Sequence, residues 1–204
     1  MNKPLVIYHA GCADGFGAAF AAWLKLGDEA EYLPMAYDQV KSFDGVYGML
    51  EDRDGEWSYG VRDREVYILD FSFPRDIMNN VFAEAARVIW LDHHKTAFEM
   101  WCGGYTKGTW FIDDESSNNY ISLDDNKSGA MLAWEYFHPG AEVPMLIQHI
   151  DDRDRWVFAL PDTKDLSAAL WSRRPWDFWQ WKSLVDKPGC DSNTLDNYIM
   201  EGVA

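Results

Sequence analysis

Three short apolar runs in this chain each end in an acid or an imidazole, and each is followed by residues spaced for a helix. Leu5-Val6-Ile7-Tyr8 ends in His9, ahead of Gly11, Cys12, Asp14 and Gly15. Val66-Tyr67-Ile68-Leu69 ends in Asp70, and Ala86-Arg87-Val88-Ile89-Trp90-Leu91 ends in Asp92-His93-His94-Lys95. Runs of Val, Ile and aromatic residues of this length read as buried strands. Phe16, Phe20, Trp23 and Leu24 form a helical stripe after the first run, and Ile77, Met78, Val81, Phe82 and Ala85 form another after the second. Repeated βα units imply an α/β fold with a mostly parallel sheet, whose right-handed crossovers bring the strand ends to one edge. Open sheets of this kind bind ligands beyond that edge. A lone His at a strand end is more often a surface residue than a ligand. A threefold recurrence instead predicts one patch holding His9, Asp14, Asp70, Asp92, His93 and His94, with Cys12 beside it.

The remaining pattern gives strand 4–9, helix 15–26, strand 30–35, then an irregular insertion over 36–64 with a hairpin around Asp54-Gly55. Strand 66–70, helix 75–86 and strand 87–91 follow. Residues 103–119 read as loop or hairpin, and 120–124 as a strand. Ser128 is placed to cap a helix running to Phe137, which Pro139-Gly140 stops. A further helix starts near Pro144, with Val143, Leu146, Ile147 and Ile150 on one face, and ends in Asp151-Asp152-Arg153-Asp154-Arg155-Trp156. Residues 162–204 suggest two or three short helices around Pro175 and Pro188-Gly189. No repeat or linker divides the chain into two comparable cores.

Composition narrows the partners. With 204 residues, 48% of them hydrophobic, the chain can build one large core. No apolar run approaches roughly 18 residues, and no basic leader is seen, so the chain reads as soluble, without a membrane partner. Cys12, Cys102 and Cys190 are too few and scattered for a disulfide framework, which suits a reducing cytoplasm. The 34 acids against 18 bases give a formal charge of −16. Long duplex nucleic acid binds through Lys and Arg, so that class is excluded. Small anionic substrates remain compatible, because bound divalent cations reverse a local potential. Much of the acidity, such as Glu51, Asp52, Asp54 and Asp113-Asp114-Glu115, reads as solvated surface. Among 11 Trp residues, the C-terminal set Trp171, Trp176, Trp179 and Trp181 reads either as a packed helical appendage or as a base-stacking or partner surface.

Convergent carboxylates and imidazoles without thiolate pairs suit Mn²⁺, Mg²⁺ or Co²⁺. Two such ions roughly 3.5–4 Å apart clamp a phosphorus centre for in-line attack. His9, Asp14, Asp70, His93 and one acid from 151–154, with Asp70 bridging, suffice for two. No Gly-x-Ser-x-Gly elbow and no P-loop is present.

Taken together, His9…Asp14-Gly15, Asp70-Phe71-Ser72, Asp92-His93-His94 and the Asp-rich 151–156 segment resemble the DHH phosphoesterase superfamily, in the right order over about 4–160. A subset with Tyr-His-x-x-Cys-x-Asp-Gly-Phe, Asp-His-His-Lys, Ser-Gly-Ala-x-Leu-Ala-Trp and Asp-Arg-Asp-x-Trp is similar almost throughout. Those motifs read here as Tyr8 to Phe16, Asp92 to Lys95, Ser128 to Trp134 and Asp152 to Trp156. The resemblance implies a three-layer Rossmann-like DHH domain over 1–160 and a Trp-rich helical extension over 161–204. It also implies that His9 and Asp70 bind one metal, and that Asp14, His93 and Asp152 bind a second, with Asp70 bridging. His94 would contact the phosphoryl group and Asp92 would orient its neighbours. Asp154 is the rival to Asp152.

Superfamily members usually carry an Asp two residues before the position of Asp14. Cys12 stands there, either as a soft ligand or as a small packed residue. Many relatives also carry a second domain, DHHA1, with a Gly-Gly-Gly-His type motif, and none is evident in this sequence.

The expected activity is a two-metal, Mn²⁺-type phosphohydrolase acting on a phosphodiester of a short oligonucleotide or (cyclic) nucleotide-type substrate. Alternatives are a pyrophosphatase or exopolyphosphatase-type phosphoanhydride hydrolase, and a catalytically inactive protein that binds a nucleotide or partner.

Overall fold

The computed structural model describes residues 2–37, 60–104, 107–114, 118–185 and 196–200. The hairpin expected at Asp54-Gly55, like Cys190, lies outside them. Six strands form one sheet: β1 (Leu5–His9), β2 (Glu31–Met35), β3 (Glu65–Leu69), β4 (Arg87–Asp92), β5 (Thr109–Asp114) and β6 (Asn119–Asp124). Their order is β2-β1-β3-β4-β6-β5, and every pairing is parallel except the β5–β6 hairpin. The fold is thus a Rossmann-like α/β sheet. Of the 103–119 segment, expected as loop or hairpin, Thr109–Asp114 forms β5, antiparallel to β6.

Alternation along each strand separates two cores. Val6, Tyr8, Tyr67, Leu69, Ile89 and Leu91 face one way; Leu5, Ile7, Val66, Ile68, Val88 and Trp90 face the other. The first face is covered by α1 (Ala13–Leu26), α4 (Gly129–Phe137) and α5 (Met145–Asp154), through residues such as Phe20, Leu132 and Ile150. The second is covered by α2 (Arg75–Glu84) and α3 (Lys95–Trp101), through Ile77, Met78, Val81 and Phe98. This makes the three layers.

Helices α6 (Thr163–Ser172) and α7 (Phe178–Val185) share the first core rather than building their own. Trp181 is fully buried, its ring 4.7 Å from Phe16 and 5.8 Å from Phe20. Trp176 packs against the same group, while Trp171 and Trp179 are 51% and 63% exposed. The C-terminal tryptophans therefore divide between packing and surface. No helix among the described residues is long and apolar enough to cross a membrane.

Strand order reverses between β1, which ends at His9, and β3, which Asp70 follows. The crossover from β1 runs through α1 on one face, and that from β3 through α2 on the other. The two chain directions diverge there and leave a crevice at the carboxyl edge.

Candidate metal centre

Each polar side chain at this edge is held by a local device. Asp70 follows β3 with φ +53°, a left-handed conformation that Asp tolerates better than most residues, so the chain turns out of the strand there. The expected strand 66–70 accordingly ends one residue earlier. Helix α1 starts earlier than expected because Cys12 caps it: its Sγ accepts from the Gly15 amide at 3.2 Å. A Cβ on Gly15 would overlap the His9 carbonyl oxygen, so only glycine lets α1 start this close to the end of β1. Asp14, buried in the first turn of α1, accepts from the amides of Gly129 (2.7 Å) and Ala130 (2.8 Å) at the start of α4. A carboxylate at a helix N-terminus is favoured by the backbone dipoles. Ser128 caps α4, its Oγ accepting from the Met131 amide at 3.3 Å.

The side chains converge on Asp70. His9 Nδ1 lies 3.5 Å from Asp70 Oδ2 and 3.2 Å from Cys12 Sγ, and Cys12 Sγ lies 3.5 Å from the same Oδ2. His93 Nε2 lies 3.1 Å from Asp70 Oδ1, 3.4 Å from Asp14 Oδ2 and 3.5 Å from Asp154 Oδ2. His94 Nδ1 lies 3.6 Å from Asp70 Oδ1 and 2.7 Å from Asp92 Oδ1. Three groups of donors result: His9, Cys12 and Asp70; Asp70, His93 and His94; Asp14, His93 and Asp154, the atoms of each within 4.8 Å of one another. Asp92 is fully buried and faces backbone, its Oδ1 accepting from the amides of His93 (2.8 Å) and His94 (3.1 Å).

Asp152 is the exception. It is turned away from the cluster, accepting from the amides of Ala159 (2.8 Å) and Leu160 (3.2 Å) and from the Thr163 hydroxyl (2.6 Å). The expectation that Asp152 completes the ligand set is corrected by this geometry, which brings Asp154 to His93 instead. Residues two apart on a helix point about 200° apart, so both cannot face His93. The apolar stripe Leu146-Ile147-Ile150 continues at helical spacing to residue 154, a signal in the sequence that favours Asp154. Asp151 has a third task, accepting from the Ser128 amide at 2.8 Å and pairing with Arg155 at 3.0 Å.

Two neighbours lie outside the patch read from the sequence. Tyr37, in the expected irregular insertion, stacks on Phe71 at 4.7 Å and lies 5.0 Å from His9. Thr163 joins Asp152 to His149, whose Nδ1 lies 2.8 Å from the Thr163 hydroxyl.

The electrostatics favour a cation. Burial, together with the charges of Asp70 and Asp154, pushes the Asp14 carboxyl well above the usual range, and burial likewise raises Asp154. Burial and the charges of Asp70 and Asp14 push the Cys12 thiol up. Burial also works against the Asp70 charge, but the His9 and His93 imidazoles beside it outweigh it and hold that carboxyl below its usual range. Burial pulls the two imidazoles down, but their carboxylate partners win: His93 is raised to about 10, chiefly by Asp70, and His94 to about 9, chiefly by Asp92. Protons on these imidazoles neutralise the buried acids, a task a divalent ion would take over on binding. Asp70 Oδ1 is buried without a hydrogen bond of good geometry among the described residues, and it is the atom His93 and His94 both approach. The donor set and this atom fit borderline or hard divalent metals.

Beside the cluster a cleft of about 620 Å³ runs from Cys12, Asp14 and Asp154 to Trp156, Phe158 and Trp171. It lies between α5 and α6, lined also by Arg153 and Lys164.

No family model matches the chain, and no solved structure matches it. It is similar to an uncharacterized protein of Acanthamoeba polyphaga mimivirus, with 28% identity over 192 residues. The matched region covers 90% of this chain and 40% of the viral protein's length.

Proposed function

We propose that this chain is a divalent-metal-dependent phosphohydrolase of the Mn²⁺ type, resembling the DHH phosphoesterases, that acts on a phosphodiester of a short nucleotide-type substrate. The observation that carries the reading is the sharing of ligands: Asp70 belongs to two of the three donor groups and His93 to two. A carboxylate shared between neighbouring groups suits a bridged pair of ions. His9, Cys12 and Asp70 would hold one ion, and Asp70, His93, Asp14 and Asp154 the other. Ions there supply Lewis acidity and lower the pKa of water toward neutrality.

The chain's own groups supply position. Asp92 engages Nδ1 of His94, which leaves Nε2 of that half-buried imidazole to meet a phosphoryl oxygen. Asp92 also fixes the backbone turn that aims His93 at Asp70. The cleft admits a small substrate from the side of α5 and α6. Free thiols at Cys12 and Cys102 suit a cytoplasmic protein.

The test is a screen of short phosphodiesters, cyclic dinucleotides, pyrophosphate and polyphosphate with Mn²⁺, beside His93→Ala as a folded control. Mn²⁺-dependent cleavage of a phosphodiester, lost in His93→Ala, supports the reading. Faster turnover of pyrophosphate would move it to phosphoanhydrides. No cleavage and no tight metal would replace it with a binding protein.

A further inference from the structure

The cleft that opens beside the metal centre ends in aromatic side chains held outward. Trp156 is 72% exposed and Trp171 is 51% exposed, although the same chain buries Trp90 and Trp181 completely. Trp156 and Phe158 have φ of +55° and +51°, a left-handed region that bulky residues rarely adopt and that costs on the order of 1–3 kcal/mol each. The chain keeps that conformation because Asp152 grips the turn, through the amides of Ala159 and Leu160 and the hydroxyl of Thr163. An exposed indole displayed on a turn anchored by a buried carboxylate is a built feature of this wall.

Cations lie among these rings. The guanidinium of Arg153 lies 4.7 Å from the Trp156 ring and 5.7 Å from Phe158, and Lys164 Nζ lies 5.0 Å from Phe158. Neither cation is held in an ion pair among the described residues. Arg174, outside the cleft lining, stacks at 3.7 Å over Trp171. In a chain of formal charge −16, a cleft with an acidic metal-binding end and a cationic aromatic end is complementary to one kind of occupant. A flat heteroaromatic ring stacks on indole and phenyl faces, and an attached phosphate is met by Arg153 and Lys164 on its way to the metal centre.

We propose that Trp156, Phe158 and Trp171, with Arg153 and Lys164, form a base-stacking subsite that selects nucleotides over other phosphate esters. Asp152 is its positioning residue. This deepens the proposed phosphohydrolase reading and rests on it for the role of the metal end, while the stacking subsite itself requires no metal.

The experiment compares the affinities of AMP and ribose 5-phosphate by calorimetry, in Mn²⁺ and again in EDTA. The wild-type chain is expected to bind AMP at least about fivefold more tightly than ribose 5-phosphate, the low end of what stacking one base supplies. Trp156→Ala and Trp171→Ala are expected to bring that ratio toward one with Mn²⁺ stoichiometry unchanged; both side chains are largely exposed, so their truncation spares the core. Asp152→Asn is expected to lower the ratio as well, by loosening the turn. Equal affinities in the wild-type chain, no measurable AMP binding, or an undiminished ratio in both tryptophan variants would overturn the proposal. Failure of the phosphohydrolase reading looks different: no Mn²⁺-dependent cleavage in the screen, with the AMP preference intact in EDTA.

Discussion

Gly129 sits so close to Asp70 that a Cβ on Gly129 would lie 2.7 Å from the Asp70 Cγ and 2.8 Å from its Oδ1. The first residue of α4 thus sets how near that helix comes to the carboxylate at the centre of the cluster. Gly129→Ala should push Asp70 aside, at a stability cost of about 1–3 kcal/mol, and weaken Mn²⁺ binding. Chemical denaturation and a metal titration on the same variant check both effects.

Asp152 and Asp154 should separate cleanly. Asp154→Asn removes a donor beside His93 and is expected to weaken one Mn²⁺ while leaving stability close to wild type. Asp152→Asn leaves three donors, the Thr163 hydroxyl among them buried, for one acceptor oxygen and is expected to cost about 1–3 kcal/mol, with the Mn²⁺ count unchanged. Metal analysis after dialysis, paired with urea melts, reads the two outcomes. Lost metal in Asp152→Asn alone would return the ligand role to that residue.

The raised imidazoles predict how stability follows pH in the metal-free protein. A His whose folded pKa lies above its unfolded value of about 6.5 stabilises fully below that value and loses its contribution as pH climbs through the folded pKa. With His94 near 9 and His93 near 10, metal-free stability should fall between about pH 6.5 and 10. Apparent Mn²⁺ affinity should rise over the same window, because binding displaces those protons. Denaturation series with and without Mn²⁺ check the opposite trends.

Cys12 has two jobs that one substitution can divide. As the cap of α1 it accepts from the Gly15 amide, which a Ser hydroxyl also does. As a donor beside His9 and Asp70 it would give bound Co²⁺ a sulfur charge-transfer band. Cys12→Ser should keep the melting temperature within a few degrees and abolish that band. A wild-type Co²⁺ spectrum without it would leave the thiol as a cap alone.

The tryptophans offer a structural control. Trp181→Ala empties a site between α1 and α7 and should cost about 3–5 kcal/mol. Trp179→Ala, exposed and edge-on to Trp23 with Lys182 near its ring, should cost about 1 kcal/mol or less. Melts of the two variants read the difference.

The order of strands and helices was legible in the sequence because apolar period and turn chemistry are local. Val6, Ile68 and Ile89 announced strands, and Ser128 announced its helix. That His9, Asp14, Asp70 and His93 meet was also legible, since parallel strands joined by helical crossovers have their ends at one edge. Tyr37 was not, because nothing local distinguishes it within its insertion.

By itself, then, the sequence determined the α/β class, the edge where polar side chains gather and the residue types that gather there. The phase of the Leu146-Ile147-Ile150 stripe leans toward Asp154, but the tertiary structure decided that it turns to His93 and that Asp152 grips the aromatic turn. It also decided which tryptophans enter the core, and that Gly129 must lack a side chain for Asp70 to be shared. Chemistry and periodicity are written along the chain. Helical phase at a terminus and close approach between residues 59 positions apart depend on packing, which takes the whole fold to specify.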